Sequence, residues 1–196
     1  MHTFKRLAVF CGSHRGLKKE YFDAAQDLAL TLSTANIGLV YGGARVGLMG
    51  QLADAMLHYD KEVIGVLPKF LMDVEIAHEG LTELHVVETM HERKSLIAKL
   101  SDGFILLPGG IGSVEEFFEM ATWNKLGVIT KPCGILNIKN YFDPLLTFLD
   151  HMVNENFLKP VYRNMIIVED TPEKLLRAFE NYELPPMFKL VHEEIK

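Results

Sequence analysis

The sequence predicts a single doubly wound α/β domain, in which a parallel sheet carries helices on both faces. Three observations predict it. Short apolar runs alternate with longer amphipathic ones along the whole chain, the pattern of strands joined by helical crossovers. Most of the short runs are apolar throughout, as strands covered on both faces must be. Glycines collect where a short run hands over to a long one, which is where such a chain turns from strand to helix. A length of 196 residues with 48% hydrophobic content suits one well-buried core and is short for two enzyme domains.

Taken in order, strands are expected over 7–11, 37–41, 63–67, 84–87, 104–107, 133–136 and 165–168. The first helix is expected near 18–35, where Tyr21, Ala25, Leu28 and Leu32 recur at helical spacing, and the second over 47–58, from Leu48, Met49, Leu52, Ala53 and Met56. Further helices are expected at 90–101, 113–126, 142–155 and 172–181. No repeat, low-complexity stretch or Ser/Gly linker interrupts the series. The domain core is therefore placed at about 5–181, with a loose tail over 182–196 that contains Pro185-Pro186 and a charged end.

A formal charge of −6 opposes any general attraction to a nucleic-acid backbone or an anionic membrane. A free mononucleotide in a local basic pocket remains compatible with it. No apolar run approaches the roughly 20 residues that span a bilayer. Residues 1–6 lead straight into a strand without a signal peptide, so a cytoplasmic protein is expected. The two cysteines, Cys11 and Cys133, each belong to or adjoin a strand and read as reduced, partly buried thiols.

In doubly wound sheets, ligands bind outside the carboxyl ends of the strands. Glycines gather at three such ends: Gly12-Ser13, Gly42-Gly43 through Gly50, and Gly109-Gly110-Ile111-Gly112-Ser113. A tight turn would explain one isolated Gly-Gly. Three junctions on one edge point to a phosphate site, where the backbone approaches the ligand and helix N-termini supply N–H groups and partial positive charge. Neither the G-x-G-x-x-G dinucleotide fingerprint after the first strand nor the G-x-x-x-x-G-K-[ST] loop is present, so NAD and ATP chemistry lose support.

At the third junction Ser113 suits an N-cap, and Glu115, Glu116 and Glu119 are expected within the first two turns behind it. Helix-dipole complementation accounts for one or two carboxylates there. A third is in excess, and a carboxylate beside a phosphate site must face another part of the ligand. Cleavage of an N-glycosidic bond builds an oxocarbenium-like charge on the ribose, which a carboxylate stabilises. The segment from Met90 to Lys94 opens a helix on the same edge with two cations, Arg93 and Lys94, against the helix dipole. A solvated surface pair is one explanation. A guanidinium on a phosphate or on a departing base is the other.

Other candidates are weaker. Among the eight histidines no H-E-x-x-H occurs, and His151 with Glu155 is the one tempting pair, so no metal is expected. Phe117, Phe118 and Trp123 share the glutamate helix and are ranked first as an interface between subunits. Lys61, Lys69 or Lys94 could form a Schiff base, but a pyridoxal-phosphate enzyme normally needs a larger fold and a partner for the pyridine nitrogen.

The run Pro108-Gly109-Gly110-Ile111-Gly112-Ser113-Val114-Glu115-Glu116, the Met90–Lys94 segment and Gly47-Leu48-Met49-Gly50 together resemble the Lonely Guy (LOG) family. The resemblance extends over about residues 5–170. It implies a Rossmann-like homodimer that hydrolyses cytokinin riboside 5′-monophosphates or AMP to free base and ribose 5-phosphate, without metal or coenzyme. By position it implies Arg93 and Glu116 as the catalytic pair, and Lys94 with Gly110, Ile111, Gly112, Ser113, Val114 and Glu115 as nucleotide contacts. Glu75 and Thr122 match further substrate positions, and Gly12, Ser13 and Gly43 join them from the junction reading. Ser113 stands where the family usually has Thr, Ile111 where Tyr is frequent, and Ala44 where a third Gly is common. The main rival reading is a non-catalytic carrier of a nucleotide or of molybdenum cofactor on the same scaffold, and Arg93 with Glu116 favours the enzyme. A DNA-handling module is opposed by the negative charge and by the lack of a basic stripe.

Overall fold

A computed structural model describes residues 3–72, 76–183 and 185. The strands are β1 (Arg6–Phe10), β2 (Gly38–Tyr41), β3 (Val63–Pro68), β4 (Glu83–Val87), β5 (Phe104–Leu106), β6 (Cys133–Leu136) and β7 (Ile166–Glu169). They form one seven-stranded sheet in the order β4-β3-β2-β1-β5-β6-β7, with every pairing parallel. All seven expected strands are present, within a residue or so of their expected ends.

The helices are α1 (Lys19–Thr34), α2 (Gly47–His58), α3 (Met90–Leu100), α4 (Ile111–Lys125), α5 (Asp143–Asn154), α6 (Pro160–Asn164) and α7 (Pro172–Glu180). Short 3-10 turns lie at Lys69–Leu71 and Ile138–Asn140. The period of two along β1 sorts the core. Leu7 and Val9 face α1, α2 and α7, whereas Ala8 and Phe10 face the helices of the opposite layer. On the first side Leu28, Leu32, Leu52, Met56 and Phe179 complete one cluster. On the second, Ile97, Phe117, Met120 and Leu149 pack on Phe104 and Leu106. Each of these large side chains contributes roughly 1.5–3 kcal/mol by leaving water.

Two expectations need correction. Helix α4 begins at Ile111, earlier than expected, so its N-cap is Gly110 and Ser113 lies inside the first turn. Glu115 and Glu116 then fall in the second turn and Glu119 in the third, and no acidic residue occupies the first. Phe117 is fully buried and belongs to the core; it cannot serve as an interface residue, because the α4 face that carries it packs on β5 and β1. Phe118 and Trp123 are only partly buried against that core. The short helix α6 was not expected, since five residues around Tyr162 are too few to show a period.

Sheet order decides where a ligand can enter. The chain runs outward from β1 through β2, β3 and β4, then returns to place β5 on the other side of β1. Between β1 and β5 the following loops diverge and leave a crevice. The loop beginning at Gly12 and the Pro108-Gly109-Gly110 loop are its two walls, joined by Gly12 N–H donating to the Pro108 carbonyl at 3.0 Å.

Candidate active site

Two adjoining cavities occupy the crevice, and both are lined by Ser13 and Gly110. One, of about 270 Å³, lies among Gly12, His14, Tyr21, Pro108, Gly109 and Tyr141. The other, of about 210 Å³, is bounded by Cys11, Met49, Met90, Arg93, Glu115 and Glu116, with Gly112 and Ser113. End to end they make a cleft with one glycine-lined half and one charged half, suited in size to a mononucleotide.

Three helix N-termini adjoin the charged half, and they differ in what their amides already hold. The first amides of α2 turn inward: Leu48 and Met49 N–H donate to the Gly12 carbonyl at 3.0 and 3.4 Å. Gly47 makes this possible. Its φ is +61°, and a Cβ there would strike the Ser13–His14 peptide. The mouth of α3 is closed by a capping box, in which Thr89 Oγ1 accepts from Glu92 N–H and Glu92 reaches back to the Thr89 N–H. The Gly110 cap of α4 has no side chain to offer. Of the three, its mouth is the one left open to an anion among the described residues.

Arg93 and Glu116 meet across this cavity. Arg93 is 5% exposed, and its Nη2 lies 3.5 Å from Glu116 Oε1, whose side chain is 12% exposed. The guanidinium is otherwise loosely held: Nη2 is 3.5 Å from the Gly42 carbonyl, Nη1 is 4.0 Å from Met90 Sδ, and Nε is buried without a hydrogen-bond partner among the described residues. A buried guanidinium normally saturates its five donors. Among the described residues this one has donors to spare beside a cavity, and a solvated surface pair does not describe it.

Lys94, one residue on, behaves differently. Its Nζ is 2.8 Å from Glu115 Oε1 and 2.6 Å from Glu119 Oε2. Burial works to lower the pKa of Lys94, but the hydrogen bonds it donates to Glu115 and Glu119 outweigh it and hold the pKa above the usual lysine value. The side chain joins α3 to α4 and is not part of the cavity wall. Helical spacing explains the division of labour: Glu115 and Glu119, four residues apart, share one face of α4, and Glu116 is turned about 100° from Glu115.

The remaining expected residues scatter. Gly12, Ser13, Gly110, Gly112, Ser113 and Glu115 line the cleft. Gly43 does not; it has φ +83°, its carbonyl accepts from His78 N–H, and it makes the turn after β2. Ile111 projects into solvent at 91% exposure. Val114 and Thr122 line a separate apolar groove between α4 and α5, away from Arg93, and the Thr122 hydroxyl donates to the Phe118 carbonyl. Glu75 lies outside the described residues. Burial pushes the Cys133 thiol up to about 12 and the Cys11 thiol higher still, so neither offers a thiolate nucleophile.

Sequence reasoning missed Leu71 and Tyr141. Leu71, on the turn after β3, lines the charged cavity. The Tyr141 hydroxyl donates to the Gly109 carbonyl at 2.7 Å, and its ring stands edge-on to Tyr21 at 5.4 Å. Neither carries a local signal, because each reaches the cleft only through the order of the strands.

Fold and crevice together define a Rossmann-like α/β protein with a cleft at the topological switch point. Solved structures with this architecture include the molybdenum cofactor binding protein of the phototrophic bacterium Rippkaea orientalis, with a TM-score of 0.67 and 18% identity over 90% of this chain and 95% of that one. DNA processing protein A of Helicobacter pylori is similar at a TM-score of 0.53 and 15% identity, over 91% and 81% of the two chains. At such identities the likeness concerns the fold alone.

The chain belongs to the LOG family. The family model described as "Possible lysine decarboxylase" matches residues 49–179. A cytokinin riboside 5′-monophosphate phosphoribohydrolase of Rhodococcoides fascians is 48% identical over 85% of this chain and 84% of its own. One from Arabidopsis thaliana is 46% identical over 91% and 84%.

Proposed function

We propose that this chain hydrolyses the N-glycosidic bond of AMP or an N6-modified (cytokinin) nucleoside 5′-monophosphate, yielding free base and ribose 5-phosphate. The observation that carries the reading is the under-bonded Arg93 beside Glu116, in a cavity whose wall includes the open mouth of α4. Identities of 46–48% to phosphoribohydrolases support it. The carrier reading has fold likeness alone behind it.

In this mechanism the 5′-phosphate sits at the N-terminus of α4, against the amides of Gly112 and Ser113 and the Ser13 hydroxyl. That anchor holds the ribose with C1′ towards Glu116. The C1′–N bond breaks with its electron pair leaving on the base, which takes up a proton. Glu116 stabilises the ribosyl cation and orients the water whose oxygen bonds to C1′, accepting the proton that this water releases, which balances the one taken up by the base. Arg93 holds either the phosphate or the departing base. No metal or coenzyme has a role.

The protein is also proposed to be a cytoplasmic homodimer, with its two cysteines unpaired. The groove lined by Phe118, Leu145, Phe148 and Met152, with Phe148 53% exposed, is the apolar surface a second copy would cover. Light scattering should return twice the chain mass of 22.2 kDa.

The deciding experiment incubates pure protein with AMP, isopentenyladenosine monophosphate and adenosine, without added metal, and follows base release. Phosphorylated substrates should be cleaved much faster than adenosine, since the phosphate contacts supply binding energy used to orient the ribose. Equal rates on AMP and adenosine overturn the anchoring, and no release from any of them overturns the reaction.

A further inference from the structure

The two glycines that follow β2 are neighbours with different reasons for being glycine. Gly43 has φ +83°, a backbone conformation that L side chains rarely adopt. Gly42 has no such backbone, so nothing in its own conformation requires the missing side chain. What occupies the space is Arg93. A Cβ on Gly42 would fall on Arg93 Nη2, and would also lie 3.2 Å from Met49 Sδ. The Gly42 carbonyl is itself one of the few acceptors near the guanidinium, at 3.5 Å from Nη2.

We infer that Gly42 is a positioning residue: the volume of its absent side chain is the seat that lets the Arg93 guanidinium lie against the turn after β2 and reach Glu116. The inference rests on reading Arg93 and Glu116 as the reacting pair. Its physical content concerns the fate of one side chain. A methyl at position 42 meets the far end of a flexible arginine, which can swing away at little cost to folding. The displaced guanidinium then loses its place beside Glu116, and misplacement of about 1 Å is costly in a site that works by orientation.

The test is a double-mutant cycle on Gly42→Ala, Arg93→Ala and the combined variant, reading turnover, KM and Tm. Gly42→Ala should lower kcat at least tenfold while Tm stays within about 3 °C of the parent. In the Arg93→Ala background the extra methyl has room, so adding Gly42→Ala should cost nothing further in kcat or Tm. Gly43→Ala is the contrast, expected to lower Tm by several degrees because its strain is in the backbone. Should Gly42→Ala fail to fold alone, a folded double variant upholds the seat and an unfolded one overturns it. Costs that add across the cycle, or parental turnover in Gly42→Ala, also overturn it. Parental turnover in Arg93→Ala would instead sink the reading of the active site and leave the Tm arm of the cycle to decide the seat.

Discussion

Two arginine–glutamate pairs stand at opposite edges of the same sheet, and they are built differently. At the N-terminal edge, Arg6 at the start of β1 grips Glu62 with both arms of its fork, Nε to Oε2 at 2.6 Å and Nη2 to Oε1 at 3.0 Å. At the C-terminal edge, Arg93 and Glu116 come no nearer than 3.5 Å, and Arg93 Nε has no partner among the described residues. Arg6 is the more exposed of the two arginines, yet it is the better satisfied. A pair whose task is to hold strands together can saturate its hydrogen bonds. On the proposed function, Arg93 and Glu116 receive a ligand, and such a pair must leave donors open and gives up stability for that. Between these extremes lies Lys94, which is tightly bound to Glu115 and Glu119 although it adjoins Arg93 in sequence.

The largest effect should follow from Glu116→Gln, which keeps volume and hydrogen bonding but removes the charge. The ribosyl cation exists only in the transition state, so turnover should fall roughly a hundredfold or more with AMP affinity nearly unchanged. Stability should change by at most about 1 kcal/mol, because Gln keeps the volume and the hydrogen-bonding capacity of Glu116. Arg93→Ala should also cripple turnover, with weaker AMP binding if the guanidinium serves the phosphate and preserved binding if it serves the leaving base. A folded Gln variant that binds AMP and releases base at the parental rate would falsify the mechanism.

Lys94→Met comes next and sharpens the contrast between clamp and reacting pair. Methionine keeps the apolar stem and leaves Glu115 and Glu119 facing each other without a cation. Removing one partner of a buried pair costs about 3–5 kcal/mol, and Glu115 is half exposed, so about 2 kcal/mol or roughly 4–8 °C in Tm is expected. Turnover should drop about tenfold through loosened α3–α4 packing, while AMP affinity holds. Adding Glu119→Gln should restore part of the Tm. If instead Tm is parental and AMP binding weakens tenfold, Lys94 is a ligand for the nucleotide as its motif implied.

The sequence made the fold legible because its signals are local: apolar runs such as 133–136 and glycines at junctions need no tertiary knowledge. Arg93 and Glu116 were legible for the same reason, as a cation at a helix start and a carboxylate beyond a glycine loop. The division among the glutamates was not. It depends on α4 starting at Ile111, and the Ser113 hydroxyl looked like a better cap than Gly110. Which helix mouth remains open was equally hidden, since α2 is occupied by a carbonyl from the loop after β1. Thr89 and Glu92, by contrast, form a local capping signature that closes the mouth of α3 and is legible in the sequence itself.

The smallest effect belongs to Glu62→Gln, and it tests whether the saturated pair is structural alone. The Arg6 hydrogen bond holds the Glu62 carboxyl below its ordinary value of 4.5, against a smaller opposing push from burial. The folded protein therefore binds that proton less readily than the unfolded chain. The stabilisation is fully present above pH 4.5 and is lost as pH falls through the lowered folded value. The Glu62 side chain is 38% exposed, so solvent screening limits the pair to about 0.5 kcal/mol. At neutral pH the Gln variant should melt about 1–2 °C below the parent, and the gap should close as the pH falls below 4.5 through the lowered folded value. Turnover should be unchanged at every pH where both are folded, because the pair lies at the edge of the sheet opposite the cleft. A gap that persists in acid would mean that Glu62 acts through packing and not through charge. A change in turnover would mean that the two edges are coupled through β1, and the separation of holding from reacting would fail.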